Sequence, residues 1–451
     1  GAVRAAEEAR GFRRHLRLAR RAVEGGLING PRGARNERPD DVSGFTSPEI
    51  RMTHPGEQYY PQGVRWDDEI ERSTLPDLLS QAARDYASRP ALEFRDRPIS
   101  YAELEDKVET AASAFLRAGY GRDKSVALFL GNTPDHPVNF FGALKAGARI
   151  VHLSPLDGEI ALSHKLSDSG ARVLVTSNLS ALLPTALKFL DKGLLDRLIV
   201  CEDDHWGKVG TPQTALPDNP KIVTYRQFTD GAKKPAQWPD MSADDVALLQ
   251  YTGGTTGTPK GAMLTHQNLT ANARQIQALD PHAGERDVIL GALPLFHVFA
   301  NTAVLNRTII NRGCIAMLPR FDVGQILGAL RHNRATSFPG VPTMFQAMLD
   351  DPRIEGADFS SLRICIAGGA PLPMRLKERW EATTGVRLVE GYGLTETAGV
   401  VTANPYEGDD RAGTIGQPLP ATRVRLLDRE DPTRDAPPGE PGELAVAGPQ
   451  V

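Results

Sequence analysis

YTGGTTGTPKG at residues 251–261 puts four glycines, four threonines and one lysine into eleven positions. The glycines let the backbone fold tightly and present its amide N–H groups. Thr252, Thr255, Thr256 and Thr258 add hydroxyl donors, and Lys260 adds a positive charge. The combination suits a polyphosphate. It is not the nucleotide loop that opens a helix with Gly-Lys-Ser/Thr, because Pro259 precedes the lysine and Gly261 follows it. Taken alone, the stretch also fits a surface turn. EGYGLTET at residues 390–397 is the second candidate. An acidic residue beside small hydroxyls at a strand end can hold Mg²⁺, which takes oxygen ligands and shares them with substrate phosphates. Glu396 is the candidate ligand, and Tyr392 can lie against a purine face where Gly391 and Gly393 leave room for the base. By itself this octapeptide fits an ordinary turn as well; the two segments together are far more specific.

These loops need elements to position them. A strand-like run at 246–250 leads into the first loop, a strand at 262–264 leaves it, and Thr265 can cap a helix over 266–278. The second loop follows a strand-like run at 386–389. Upstream, apolar spacing predicts a helix over 75–86. Ser100 with Glu103 forms a capping-box signature for a helix to Leu116, which Gly119 stops. Strands at 125–130, 148–153 and 172–176 alternate with helices at 135–145 and 159–167. After a Pro/Gly/Asp-rich passage at 206–219, strands at 288–293, 314–318 and 362–367 alternate with helices at 323–331 and 374–383. Such alternation implies parallel sheets covered by helices. From 412 to 448, short segments such as 424–427 and 443–446 read as small antiparallel strands.

Composition narrows the function. With 451 residues, 40% of them hydrophobic, the chain can bury two or three packed units. No apolar run is long enough to span a bilayer, and the net charge of −4 gives no general attraction to nucleic acid. Cys201, Cys314 and Cys365 lie far apart in hydrophobic stretches without metal-ligand spacing, which suggests buried thiols in a reducing compartment, the cytoplasm. Residues 1–51 differ from the rest, with eleven Arg, no Lys and seven acids. They are expected to be a disordered extension or a leader ahead of a natural start at Met52.

The segments YTGGTTGTPKG, LPLFHVF (293–299), AGGAPL (367–372), EGYGLTET, GTIGQPLP (413–420) and PGELAVAGPQV (441–451) occur in the order found in the adenylate-forming superfamily. That superfamily holds acyl-CoA synthetases, luciferase and peptide synthetase adenylation domains. The resemblance covers about residues 75–451 and is greatest to bacterial long-chain fatty acid:CoA ligases and relatives acting on dicarboxylic acids. It implies an α/β fold: the large N-terminal domain of these enzymes, with two related sheet-and-helix subdomains (52–240, then 241–410 with the ATP loops) and a small distorted β-barrel at 411–451. It also implies a two-step reaction, in which a carboxylate and Mg-ATP give acyl-AMP and pyrophosphate, and CoA as second substrate then displaces AMP.

Carried over by position, Thr252, Gly253, Gly254, Thr255, Thr256, Gly257 and Lys260 would grip the phosphates. Thr395 would contact the α-phosphate and Glu396 would hold Mg²⁺. Gly369, Ala370, Pro371, Glu390, Gly391, Tyr392 and Gly393 would border the nucleotide. His297 would sit near the acyl carboxylate, although a histidine between Phe296 and Phe299 also fits packing. Short-chain relatives close the acyl pocket with a tryptophan in the segment matching GYGLTET; here Gly391 and Gly393 predict a pocket open to a C8 to C16 chain. Phe299, Ala300, Asn301, Val341, Pro342 and Met344 are candidates for its lining, and Arg307 or Arg312 for meeting a second carboxylate. The chain ends at Val451, before the family's ribose-binding aspartate, hinge and C-terminal domain, which predicts impaired turnover. The expected partners are ATP, a carboxylic acid and CoA, with a homodimer left open. The alternatives are an aryl or amino acid adenylating domain, for which no aspartate stands early in the pocket, and a non-catalytic nucleotide-binding fragment. HKLSD at 164–168 fits the H-x-x-x-D of CoA acyltransferases but lacks their flanking residues, and reads as a surface helix.

Overall fold

The computed structural model describes residues 56–253 and 258–451; the arginine-rich extension and four residues of the first loop, 254–257, lie outside them. Strands Ser125–Phe129, Arg149–His152, Val173–Ser177 and Arg197–Cys201 are buried along nearly their whole length. Such strands show as continuous apolar runs because both faces of a parallel sheet are covered. Alternation decides which face each residue serves. Val126 and Leu128 enter one core, whereas Ala127 and Phe129 enter another beneath helices Glu159–Ser169 and Leu183–Asp191.

The seven-stranded sheet runs Ile222–Thr224, Arg197–Cys201, Val173–Ser177, Ser125–Phe129, Arg149–His152, Val246–Thr252 and Lys260–Thr265. All its pairs are parallel except the last. The nine-stranded sheet runs Gln417–Pro418, Thr402–Ala403, Leu388–Tyr392, Ile364–Ala367, Ser337–Gly340, Val288–Gly291, Cys314–Met317, Pro90–Phe94 and Arg97–Ser100. Its six central strands are parallel. The largest core joins Val126, Leu128 and Ile150 of the first sheet to Ile289 and Ile315 of the second, through helices Leu75–Asp85, Tyr101–Arg117 and Asp135–Lys145. Every residue of Asp135–Lys145 is buried, and Lys145 there pairs with Glu105 and Glu109.

Sheet membership does not divide at residue 240. The hairpin of Val246–Thr252 and Lys260–Thr265 closes the first sheet, while the early hairpin Pro90–Phe94 and Arg97–Ser100 closes the second. That early hairpin escapes sequence reading: two prolines and the charged run Arg95-Asp96-Arg97 look like a loop. Yet Arg95 and Asp96 both have positive φ (53° and 60°), the two-residue turn that suits hairpin twist. The end expected as a small barrel is, among the described residues, an antiparallel ribbon of Arg423–Leu427 and Glu443–Ala447, while Gln417–Pro418 joins the larger sheet. Gln275 of helix His266–Ala278 donates to the Pro420 carbonyl at 2.6 Å and anchors this end.

Helix starts follow the cap residues. The Ser100 hydroxyl accepts from Glu103 N–H, and Thr265 and Asn268 cap reciprocally. No described helix is long and apolar enough to cross a membrane.

Candidate active site

The first loop is the turn of an antiparallel hairpin, with Thr252 paired directly to Lys260 at its open end. Thr252, Gly253, Thr258 and Lys260 are placed; Gly254, Thr255, Thr256 and Gly257 lie outside the described residues. Helix Glu159–Ser169 braces the hairpin from behind. The Tyr251 hydroxyl donates to Asp168 at 2.7 Å, Lys165 Nζ stands 5.6 Å over the Tyr251 ring, and His164 Nε2–H donates to the Pro259 carbonyl at 3.0 Å. A Cβ on Gly261 would lie 3.2 Å from that ring, so the strand passes close to the tyrosine there. The HKLSD segment is thus more than a solvated face, since two of its residues hold the loop's flanks.

The second loop is locked by its own backbone. A Cβ on Gly393 would fall 1.5 Å from the Gly399 carbonyl oxygen. Glycine is therefore demanded there by the returning chain, rather than by room for a base. Asn272 accepts from Val400 N–H at 2.9 Å and donates to its carbonyl at 2.7 Å, while the Thr302 hydroxyl donates to the Ala398 carbonyl at 2.6 Å. The short helical turn Thr395–Thr397 sits inside this clasp and exposes Glu396. Glu390 is nearly buried and its carboxyl receives Leu372 N–H; burial raises its pKa. It ties this strand to the Ala367–Leu372 segment instead of facing the cavity.

Gln250 of the first sheet and Asn132, just beyond strand Ser125–Phe129, pin the segment that carries His297. Asn132 donates to the Leu293 carbonyl at 2.8 Å and accepts from Leu295 N–H at 2.9 Å. Gln250 donates to the Phe296 carbonyl and accepts from His152 Nδ1–H, both at 3.1 Å. His297 then caps the turn Val298–Ala300, its Nδ1 accepting from Phe299 N–H at 3.2 Å. With Nδ1 occupied as an acceptor, the neutral ring carries its proton on Nε2. Desolvation lowers the His297 pKa, so the ring stays neutral at neutral pH.

One cavity of about 680 Å³ joins these pieces. Thr252, Gly253, Lys260, His297, Phe299, Gly369, Gly391, Tyr392, Gly393, Thr395 and Glu396 all line it, with Ile276, Leu279, Ala303 and Leu419 forming an apolar extension. Ala370 and Pro371 are exposed just beyond Gly369. Phe299 packs so closely that a Cβ on Gly368 would meet its ring at 3.0 Å. Val341 borders Gly369, 3.5 Å from where its Cβ would be. Asn301, a candidate for the acyl lining, is instead fully buried and accepts from Asn306 Nδ2 at 3.0 Å. The cause is the wide turn Asn301–Asn306, a π-helical segment that presents Ala303 and Arg307 to the cavity. Of the two arginines considered, Arg307 lines the cavity; Arg312 donates to the Ile310 carbonyl and stands 6.0 Å from the Tyr86 ring. Asn132, Gln250, Asn272 and Thr302 could not be found by motif, because each acts on backbone remote in sequence.

The pattern of the family described as AMP-binding enzyme matches residues 79–451. The chain belongs to that family. It is 36% identical over 416 residues to the long-chain-fatty-acid-CoA ligase of Escherichia coli O6:H1, covering 87% of this chain and 72% of the relative. It is 33% identical over 409 residues to the enzyme of the same name from Bacillus subtilis, with the same coverage. Among solved structures, a long-chain-fatty-acid-CoA ligase from Archaeoglobus fulgidus superposes with a TM-score of 0.74 at 25% identity, covering 85% of this chain and 76% of the other.

The donor set of this AMP-binding enzyme fits a magnesium nucleotide. Mg²⁺ is held through one or two carboxylates plus phosphate oxygens, and keeps several waters. Glu396 offers an exposed carboxylate with no ion pair among the described residues, flanked by the Thr395 hydroxyl and facing the Thr252–Lys260 end of the hairpin across the same cavity. No cluster of three or more His, Cys, Asp or Glu groups suited to a metal occurs among the described residues, and that mode of binding requires none.

Proposed function

We propose that this chain activates a medium- or long-chain fatty acid as acyl-AMP at the expense of ATP and passes the acyl group to CoA. The observation that carries this reading is the single cavity joining the polar hairpin end, the Thr395–Glu396 turn and His297 to an apolar extension. A carboxylate oxygen attacks the α-phosphorus as the bond to pyrophosphate breaks; the CoA sulfur then attacks the acyl carbon, AMP leaves, and the thiol proton is lost. Glu396 would hold the Mg²⁺ brought with the nucleotide, which would supply charge neutralisation on the phosphates. Lys260, Thr252 and the loop between them grip the phosphates, Thr395 meets the α-phosphate, and Tyr392 and Gly369 border the adenine. His297, neutral and protonated on Nε2, donates a hydrogen bond to an oxygen of the reacting groups and takes no proton from them. Alignment and charge stabilisation therefore carry the first step more than base catalysis does. A cytoplasmic setting accords with the three buried free cysteines.

The test is exchange of labelled pyrophosphate into ATP, followed by thioester formation, over acids from acetate to sixteen carbons. Exchange driven by acids of eight to sixteen carbons is the expected result, and activity with acetate alone would refute the reading.

A further inference from the structure

The apolar side of the cavity has a second layer. Ile276, Leu279, Ala303, Ala403 and Leu419, which all line the cavity, are buried in one cluster with Tyr60, which does not line it. The wall residues come from separate elements: the end of helix His266–Ala278, the wide turn Asn301–Asn306, strand Thr402–Ala403 and the position after Gln417–Pro418. Two of them are alanines, and the largest side chain in the cluster is the Tyr60 ring. Val64 and Trp66 pack against the same cluster, so residues 59–66 lie as a strap on the outer side of the wall. Hydrogen bonds tie this strap to residues 417–422. The Tyr60 hydroxyl donates to the Pro418 carbonyl at 2.7 Å, and Trp66 Nε1–H donates to the Thr422 carbonyl at 3.0 Å. Ala421 N–H donates to the Trp66 carbonyl at 2.7 Å, and Gln417 Nε2–H to the Tyr59 carbonyl at 3.2 Å.

We propose that this strap sets the upper size limit of the acid, with Tyr60 as a specificity-determining residue that acts through the wall without touching the substrate. The inference rests on the activity proposed above, with the apolar extension as the acyl site. A close-packed interior holds little spare volume, so a cavity grows only where its wall can retreat. Where the wall is partly alanine, the layer behind it decides how far that is, and here that layer is the Tyr60 ring. Removing the ring leaves a void that its surroundings fill only in part, and the void adjoins the apolar side of the cavity. Removing the hydroxyl alone loses the bond to Pro418 and leaves the volume occupied.

Pyrophosphate exchange by the full chain over straight acids from about eight to about twenty carbons tests this, because each methylene that a pocket admits or refuses changes kcat/KM measurably. Tyr60→Ala should move the best acid about two to four carbons longer, raising kcat/KM for the longer acid about tenfold relative to the wild type's best one, with KM for ATP unchanged. Tyr60→Leu should shift the profile less and in the same direction, which keeps the question answerable where Tyr60→Ala does not fold. Tyr60→Phe, which retains the ring, should keep the wild-type length profile. A merely structural role would lower kcat/KM for every acid by one factor and leave the profile in place. That outcome in folded Tyr60→Ala or Tyr60→Leu, a shift toward shorter acids, or an equal shift in Tyr60→Phe would overturn the proposal. Absence of exchange with any acid in the wild-type chain would instead defeat the activity on which it rests, and the inference with it.

Discussion

The two loops that face each other across the cavity are held in opposite ways. The described flanks of the hairpin are tied to helix Glu159–Ser169, by Tyr251 on Asp168 and by His164 on Pro259. The Gly393–Val400 loop is folded on itself so tightly that Gly393 has no room for a Cβ, and Asn272 and Thr302 clasp its backbone from buried positions. The role proposed for Thr395 and Glu396 requires the fixed geometry that their loop has.

Substitutions can break that contrast. Gly393→Ala should have the largest effect, because the new methyl cannot coexist with the Gly399 carbonyl; a loss of exchange activity of about a hundredfold is expected from displacement of the Thr395–Thr397 turn, if it acts as proposed. Asn272→Ala leaves both polar groups of Val400 without their partner and should destabilise by about 2 kcal/mol, read by denaturant unfolding, with activity falling in parallel. Tyr251→Phe and Asp168→Asn should do less, raising KM for ATP a few-fold while the melting temperature hardly moves. Should those two match Asn272→Ala in stability, the contrast between the loops would fail.

Acid sharpens the comparison at smaller scale. Burial holds His152 and His266 down to about 4, and His136 well below its usual 6.5. An unfolded chain protonates these rings near pH 6.5, so it binds more protons than the folded one between about pH 6.5 and 4, and stability falls as the pH drops through that window. Asp135, pushed up to about 6 by burial, works the other way, since the folded state takes its proton first as the pH falls below 6. These rings, with His297 lowered beside them, outnumber the raised carboxyls of Asp135 and Glu390. Thermal melts should therefore show a lower melting temperature at pH 5 than at pH 7.5, and a rise would mean the signs are reversed. His152 supports Gln250 and through it the His297 segment, so loss of activity should accompany the change.

What could be read from the sequence and what could not have physical reasons. Helix Asp135–Lys145 and the strands around it were legible because complete burial writes continuous apolar runs, and helix His266–Ala278 because Thr265 announces its start. The loops at 251–261 and 390–397 were legible because glycines and small hydroxyl residues recur in them over many consecutive positions. The hairpin at Pro90–Ser100 was not, since its strands are short and charged and take their identity from the strand beside them. Asn301 was placed wrongly because a wide turn shifts the face that each residue presents, and no local signal marks where a helix widens. The roles of Asn132, Asn272 and Thr302 depend on where distant backbone passes, which periodicity cannot report.

The exchange of hairpins between the sheets also dictates an order of assembly on the ribosome. Leu92 finds its partner only when Ile315 has been made, and Ile150 finds Leu248 only after the intervening helices. An emerging chain must therefore carry an unpaired, partly apolar hairpin through the synthesis of the entire first sheet. The first sheet can be complete at Thr265, well before Pro418 completes the second, so a nascent chain halted between them should be a ready client for chaperones.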